Sequence, residues 1–413
     1  MLKNWSIKSE FAKNVITLIT GTAIAQALSL IFSPVISRIY NPEDFGFFAI
    51  FMSIVSGIAV IACGRFELTI LLPEKEEDAQ KNKSIALLFC ISISSITTIV
   101  MSILFALNIV QSVYYLLTGV LVFIFGIYQI NTNSALRSKN YKVIAKSRVI
   151  NSVINVILSI SFGLFKYLHV GMILSTLIGQ TMANSLFKYP FLNQKINKSY
   201  LLSLKPTIIK YKHFLQFNTV QALSDMFMIN AMYYLLPFFY SSSLMGLYAL
   251  AIRILQAPMS LIGSSLAQVF YQQATQYYKD NKPLNGLIKS TLYKAAIVAL
   301  PIPVILILFG PSLFALVFGE RWEAAGNLAR ILSPWIYFDF IRSTISQIPL
   351  ILNKQKELFR YSIAGNFILV LIILLLGFYN QTIEVNFFVI TITMCIYSLF
   401  LIKWIYQLTK QTP

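Results

Sequence analysis

The chemistry open to this sequence rests on a few ionisable side chains set in long apolar runs: Arg65 with Glu67, Asp225, Arg253, and Asp339 with Arg342. Charge inside an apolar span costs roughly 2.5–3.5 kcal/mol per residue, so such groups face a cavity or a partner. Arg253 lies about seven residues into its run, roughly 10 Å along a helix axis. Its guanidinium fork matches two oxygens of a phosphate at once, so a cavity-facing role suits it better than snorkelling to the surface. Arg65 and Glu67 are two apart; on one continuous helix they would not face each other and would not neutralise one another locally. Either one lines a polar cleft while the other anchors it, or Arg65 snorkels beside a structural ion pair. Asp225, flanked by Gln221, Ser224 and Asn230, suits a counter-charge, a proton or cation site, or a hydrogen-bonded structural acid. Asp339 and Arg342 are three apart on one helix face, which favours an internal salt pair over a substrate role.

Weaker candidates surround them. Arg38 closes the first apolar run and reads as an interface anchor. Gln26, Asn151, Asn155, Gln180 and Asn184 could line a cleft, although interhelical hydrogen bonds explain them as readily. His169 and His213 sit at the edges of apolar runs without metal-ligand spacing, so no metal and no cofactor is expected. Cys63, Cys90 and Cys395 are an odd count in apolar surroundings and read as small core residues. No Gly-x-x-x-x-Gly-Lys-Ser/Thr loop, Gly-x-Ser-x-Gly or His-Glu-x-x-His stretch occurs. With no sizeable outside loop to hold an acidic site, an enzyme is disfavoured.

The elements that position these groups follow from composition. The 413 residues are 57% hydrophobic and 12% charged, with a mean hydropathy of +0.71. Ordinary soluble domains are about 25% charged. Val15 to Val35, Phe45 to Leu72, Ile85 to Leu107 and Phe367 to Tyr379 carry almost no charge. About 20 such residues span a bilayer as a helix, and the alternation of a barrel strand is missing. The expectation is an all-α polytopic membrane protein of about twelve helices, near 14–37, 45–69, 84–106, 113–132, 147–165, 170–189, 214–239, 246–270, 291–310, 326–350, 361–379 and 385–404. The formal charge of +18 orients the chain: about 27 of its 33 Lys and Arg fall on one side of the spans. Both termini are therefore expected in the cytoplasm, and the charge faces anionic lipid headgroups, not nucleic acid. The polar start of the chain reads as no cleaved signal.

The stretch from Lys188 to Lys212 carries six lysines and divides the chain into a lobe over 1–190, a cytoplasmic loop over 191–213 and a lobe over 214–413. A weak repeat crosses that divide. Tyr40-Asn-Pro-Glu-Asp-Phe-Gly46 follows the first span and Tyr240-Ser-Ser-Ser-Leu-Met-Gly246 the seventh, each continuing to an aromatic and an alanine. An even number of spans per half gives parallel repeats about the membrane normal, with a cleft between two lobes. Ser199 to Phe214 and Gln268 to Tyr278 mix apolar, Tyr, Lys and Gln residues, as interfacial helices do; polar extension of the adjoining span fits equally well.

Ser37-Arg-Ile-Tyr-Asn-Pro-Glu-Asp-Phe-Gly46 and Gly64-Arg-Phe-Glu-Leu-Thr-Ile-Leu-Leu-Pro73 resemble the opening of the Wzx-type polysaccharide flippases of the multidrug/oligosaccharidyl-lipid/polysaccharide exporter superfamily. Gly246-Leu-Tyr-Ala-Leu-Ala-Ile-Arg-Ile254, Pro258 and Phe318-Gly-Glu-Arg-Trp-Glu-Ala-Ala-Gly326 extend the resemblance through the second half. It implies a MATE-like V of two six-helix lobes in the bacterial cytoplasmic (inner) membrane. It also implies alternating-access transfer of an undecaprenyl-diphosphate-linked oligosaccharide unit to the outer leaflet, for O-antigen, lipopolysaccharide, capsule or related polymers. Arg65, Glu67 and Arg253 stand within the matching motifs and Asp225 on a helix expected to form the cavity, so these would contact substrate. The resemblance further implies a proton or sodium gradient as drive, and membrane lipids, a polysaccharide polymerase and chain-length proteins as partners.

Two rivals are weighed against it. A drug/cation antiporter of the same fold should hold more acids in its cavity; Arg65, Arg253 and Arg342 set against Glu67, Asp225 and Asp339 favour an anionic substrate modestly. A membrane glycosyltransferase or polymerase needs the catalytic outside loop that this chain lacks.

Overall fold

The structure, a computed structural model, describes residues 10–110, 112–187, 198–352, 354–379 and 382–410. The described residues are helical without strands. In chain order the first helices are α1 (Glu10–Ile31), α2 (Ser33–Ile39), α3 (Pro42–Ala59), α4 (Glu76–Ala106), α5 (Leu117–Arg137), α6 (Tyr141–Leu164) and α7 (Leu168–Ser185). Then come α8 (Lys198–Lys210), α9 (Thr219–Ile229), α10 (Ala231–Leu235), α11 (Ser242–Lys279), α12 (Asn285–Ala299) and α13 (Pro301–Phe318). Last are α14 (Glu323–Ile345), α15 (Ile348–Ile351), α16 (Gln355–Phe378) and α17 (Ile383–Lys410).

Each expected span overlies helix. Eight stretches are long and apolar enough to cross a membrane among the described residues. The expected span over 214–239 is broken: one π turn at Phe214–Asn218, α9, α10, then a single 3-10 turn at Leu236–Phe238 around Pro237. Large apolar side chains stand outward along the spans, among them Phe309, Leu316, Phe367 and Ile396, each at least 60% exposed. Such a surface is stable only against lipid, since water would drive it to aggregate. The chain is a multi-pass membrane protein.

Local sequence explains where helices start. Pro42 opens α3, where its missing N–H costs nothing, and Asp44 reaches back to accept from the Asn41 backbone N–H at 3.0 Å. Ser241 plays the matching part for α11 by accepting from the Leu244 N–H. Pro301 separates α12 from α13.

The chain forms two compact units. One holds the chain up to Ile39 and Phe48–Asn230; the other holds Tyr40–Phe47 and Ala231–Pro413. In the first, α1, α6 and α7 pack together and α4 packs on α5. The α6–α7 contact is a polar ladder: Asn151 donates to Gln180 at 2.8 Å, Asn155 to Thr176 at 3.1 Å, and the Ser159 and Ser175 hydroxyls meet at 2.7 Å. Asn184 donates to the Ile124 carbonyl at 3.0 Å. Asn151, Asn155, Gln180 and Asn184 therefore join helices, the second of the two readings open for them.

In the second unit α14 is central, packed by α11, α12, α13 and α17. Gly310 and Gly326 let α13 and α14 approach backbone to backbone. Residues 40–47, from the first half of the sequence, are built into this unit. Phe45 meets the fully buried Trp322 edge-on at 4.9 Å, and Arg321 donates to the Asn41 side chain. The two repeat motifs touch here. A Cβ on Gly46 would overlap the Ser242 carbonyl, and one on Gly246 would overlap the Pro42 carbonyl. The contact is reciprocal, as a two-fold repeat requires.

Of the two stretches weighed as interfacial, Ser199 to Phe214 is largely the separate helix α8 with Pro206 inside it. Gln268 to Tyr278 is instead the continuous end of the 38-residue α11.

Candidate functional site

The first unit contains a built site at the break after α3. The helix stops at Ala59, and Gly64 (φ 59°) and Arg65 (φ 61°) both take the left-handed conformation before a 3-10 helix over Phe66–Leu71. Glycine adopts such a φ freely, whereas at Arg65 it carries a steric cost. The break has a consequence that spacing on a continuous helix misses. Arg65 and Glu67 come together, guanidinium to carboxylate at 3.5 Å. The expectation that they cannot neutralise one another is corrected here: the turn between them replaces the 100° step of a helix.

The surroundings hold the break in place. Gln129 donates to the Ala59 carbonyl at 3.0 Å, which also accepts from the Ala62 N–H, and Asn82 donates to the Thr69 carbonyl at 2.8 Å. Cys63, Phe66, Ile70, Ile85, Cys90 and Leu204 pack around it as one apolar cluster. Arg137 clasps the far end, donating to the Ile70 and Pro73 carbonyls at 3.1 and 2.6 Å and to the Glu76 carboxylate at 2.9 Å. A cavity of about 730 Å³ opens beside this clasp, with Glu74, Glu76, Lys83, Arg137 and Lys139 in its wall.

Within this frame Glu67 is 2% exposed and neither of its oxygens has a hydrogen-bond donor, while the Arg65 Nε also lacks an acceptor among the described residues. A buried ion pair so thinly satisfied keeps unused capacity for a proton or for a polar ligand group.

The remaining candidates are placed as follows. Asp225 is exposed on α9 of the first unit. Arg253 is half-buried on α11 of the second unit, eleven residues past the helix start at Ser242. Asp339 and Arg342 on α14 are paired, with Nη2 and Nε both on Oδ1 at 2.6 and 3.0 Å. Arg38 is exposed on the last turn of α2. His169 lies edge-on to Tyr114, His213 stacks on Phe217, and no group of metal ligands forms among the described residues.

Sequence reasoning missed Arg137 as a clasp. It missed Asn82 and Gln129 as well. The available signal was Gly64 inside a long apolar run, because a glycine there permits the left-handed turn that interrupts a helix.

Comparison with known proteins bears on the fold and on the family. No curated protein matches the chain. Among solved structures, the lipid II flippase MurJ in an inward closed conformation superposes with a TM-score of 0.71 at 16% identity, covering 94% of this chain and 87% of that one. An inward-facing multidrug resistance MATE family transporter of the MOP superfamily gives 0.66 at 14% identity, over 94% and 96%. A MOP superfamily transporter from Pyrococcus furiosus, described as having a binding pocket of reversed polarity, gives 0.57 at 12% identity, over 97% of each chain. These likenesses show a fold shared with transporters and flippases. The model of a family described as polysaccharide biosynthesis protein matches residues 35–327, a stretch that includes the break at Gly64, the paired glycines and Arg253. On that match, the chain belongs to the polysaccharide biosynthesis protein family.

Proposed function

We propose that the protein translocates undecaprenyl-diphosphate-linked oligosaccharide units from the cytoplasmic to the outer leaflet of the bacterial inner membrane, by alternating access, for O-antigen, capsule or a related polymer. The observation that carries the reading is Arg253, a half-buried guanidinium well inside the apolar α11. A guanidinium at that depth can meet phosphate oxygens through charge-assisted, bidentate hydrogen bonds. The membership of a polysaccharide biosynthesis family supports a glycan as cargo, and the flippase and transporter fold supports movement across the bilayer. Coupling to a proton or sodium gradient belongs to the same reading, with the thinly satisfied Glu67 and the exposed Asp225 as the groups that would carry the ion.

The test is flipping of a labelled undecaprenyl-diphosphate-oligosaccharide in proteoliposomes, read as headgroup exposure at the trans face. Arg253→Ala should lower the rate at least about tenfold, the loss of one charge-assisted contact, with Arg253→Lys intermediate. Wild-type flipping that Arg253→Ala leaves unchanged would overturn the role of the arginine. A wild type that moves cationic dyes under an imposed gradient but no lipid-linked glycan would instead favour the antiporter reading, in which Asp225 binds the cation.

A further inference from the structure

On the outer surface of the second unit, α13, α14 and α17 enclose a groove of about 610 Å³. Its walls are apolar, with Ile331 on α14 and Phe388 and Ile396 on α17, the last two 57% and 63% exposed. Two opposite charges share the groove: Arg330, in the second turn of α14, and Glu384, in the first turn of α17. Both side chains are exposed, and neither has an ion-pair or hydrogen-bond partner among the described residues. Further along the same face of α17 the Thr391 side chain is 4% exposed, and its hydroxyl also lacks a partner. From Glu384 to Ile396 the groove follows α17 for roughly 18 Å, about one leaflet of a hydrocarbon core some 30 Å thick.

A gap between helices in an ordinary lipid-facing surface needs no charge. Here a cation and an anion stand at one end of an acyl-length apolar slot, in the leaflet that the charge bias assigns to the outside, and they do not neutralise each other. The geometry points to a binding site for an aminophospholipid with the headgroup of phosphatidylethanolamine. Arg330 takes the phosphate, Glu384 takes the primary ammonium, and one acyl chain lies along Phe388 and Ile396. A phosphatidylglycerol headgroup lacks the ammonium and would be repelled by Glu384. A choline headgroup has no N–H to donate. This site is independent of the translocated cargo.

The experiment is native mass spectrometry of the full chain, purified in mild detergent and offered equimolar phosphatidylethanolamine, phosphatidylglycerol and phosphatidylcholine of matched acyl chains. Phosphatidylethanolamine should be retained roughly fivefold over either competitor, the scale of one partly exposed ion pair. Glu384→Gln should bring it down to the phosphatidylglycerol level. Arg330→Gln should lower both, and Ile396→Trp should empty the groove without touching a charge. Unchanged melting temperatures in lipid-free detergent would show that the variants fold. Equal retention of the three lipids, retention indifferent to Ile396→Trp, or a phosphatidylglycerol preference that ignores Glu384→Gln would each overturn the proposal.

Discussion

At Arg65 the backbone takes a conformation that a branched or long side chain adopts only at a cost, and the return on it is the ion pair with Glu67. The strength of that pair is measurable, because removing one member strands the other. Arg65→Gln leaves the buried Glu67 carboxylate without a counter-charge, and Glu67→Gln leaves a partly exposed guanidinium that can reach water. Arg65→Gln should therefore be the more destabilising single change. The double variant should recover part of the loss, with a coupling on the order of 1–3 kcal/mol read by a double-mutant cycle of melting in detergent. Additive losses would mean that the 3.5 Å contact contributes nothing and that the turn is held by Arg137 and the apolar cluster alone.

At the scale of elements, the start of α3 and the start of α11 cross where each presents a glycine to a carbonyl of the other. No side chain stands between them that could move aside, so any Cβ must push backbone against backbone. Gly46→Ala or Gly246→Ala should cost about 2 kcal/mol or more and loosen residues 40–47 from the second unit. Gly286→Ala, where the added methyl meets nothing within 4 Å, should stay within about 0.5 kcal/mol of wild type. Melting temperatures of the three variants make the comparison, and equal values would refute the tight crossing. The polar ladder between α6 and α7 is a different device. It joins helices by side-chain hydrogen bonds where lipid gives no hydrophobic drive to associate.

For the whole molecule, the bias of Lys and Arg fixes the expected orientation, and accessibility checks it. In a Cys395→Ser background, where the other two cysteines are buried, Asn108→Cys should react with a membrane-impermeant maleimide in intact cells. Lys139→Cys should react only after permeabilisation. The reverse pattern would invert the topology and with it the direction proposed for transport. Much of this level was legible in sequence: 57% hydrophobic residues in long uncharged runs left helices in a bilayer as the only fold able to satisfy the backbone. The pairing of Asp339 with Arg342 was legible too, since i and i+3 on one helix are neighbours wherever that helix goes.

What the sequence by itself determined, then, is everything set by local period and by transfer from water: the helical spans, the membrane, the same-face pairs and the repeated Tyr-to-Gly segments. Only the tertiary structure decided what depends on residues distant in the chain. It broke the second span after Ala59, where Gln129, Asn82 and Arg137 donate to carbonyls along the break. That break brought Arg65 to Glu67. It also set Gly46 against Gly246 and assigned residues 40–47 to the second unit. It left Arg330 and Glu384 in one groove without pairing them. The physical reason is the same in each case. Spacing along a chain predicts contact only while the helix continues, and where it breaks or meets another helix the partners are chosen by packing.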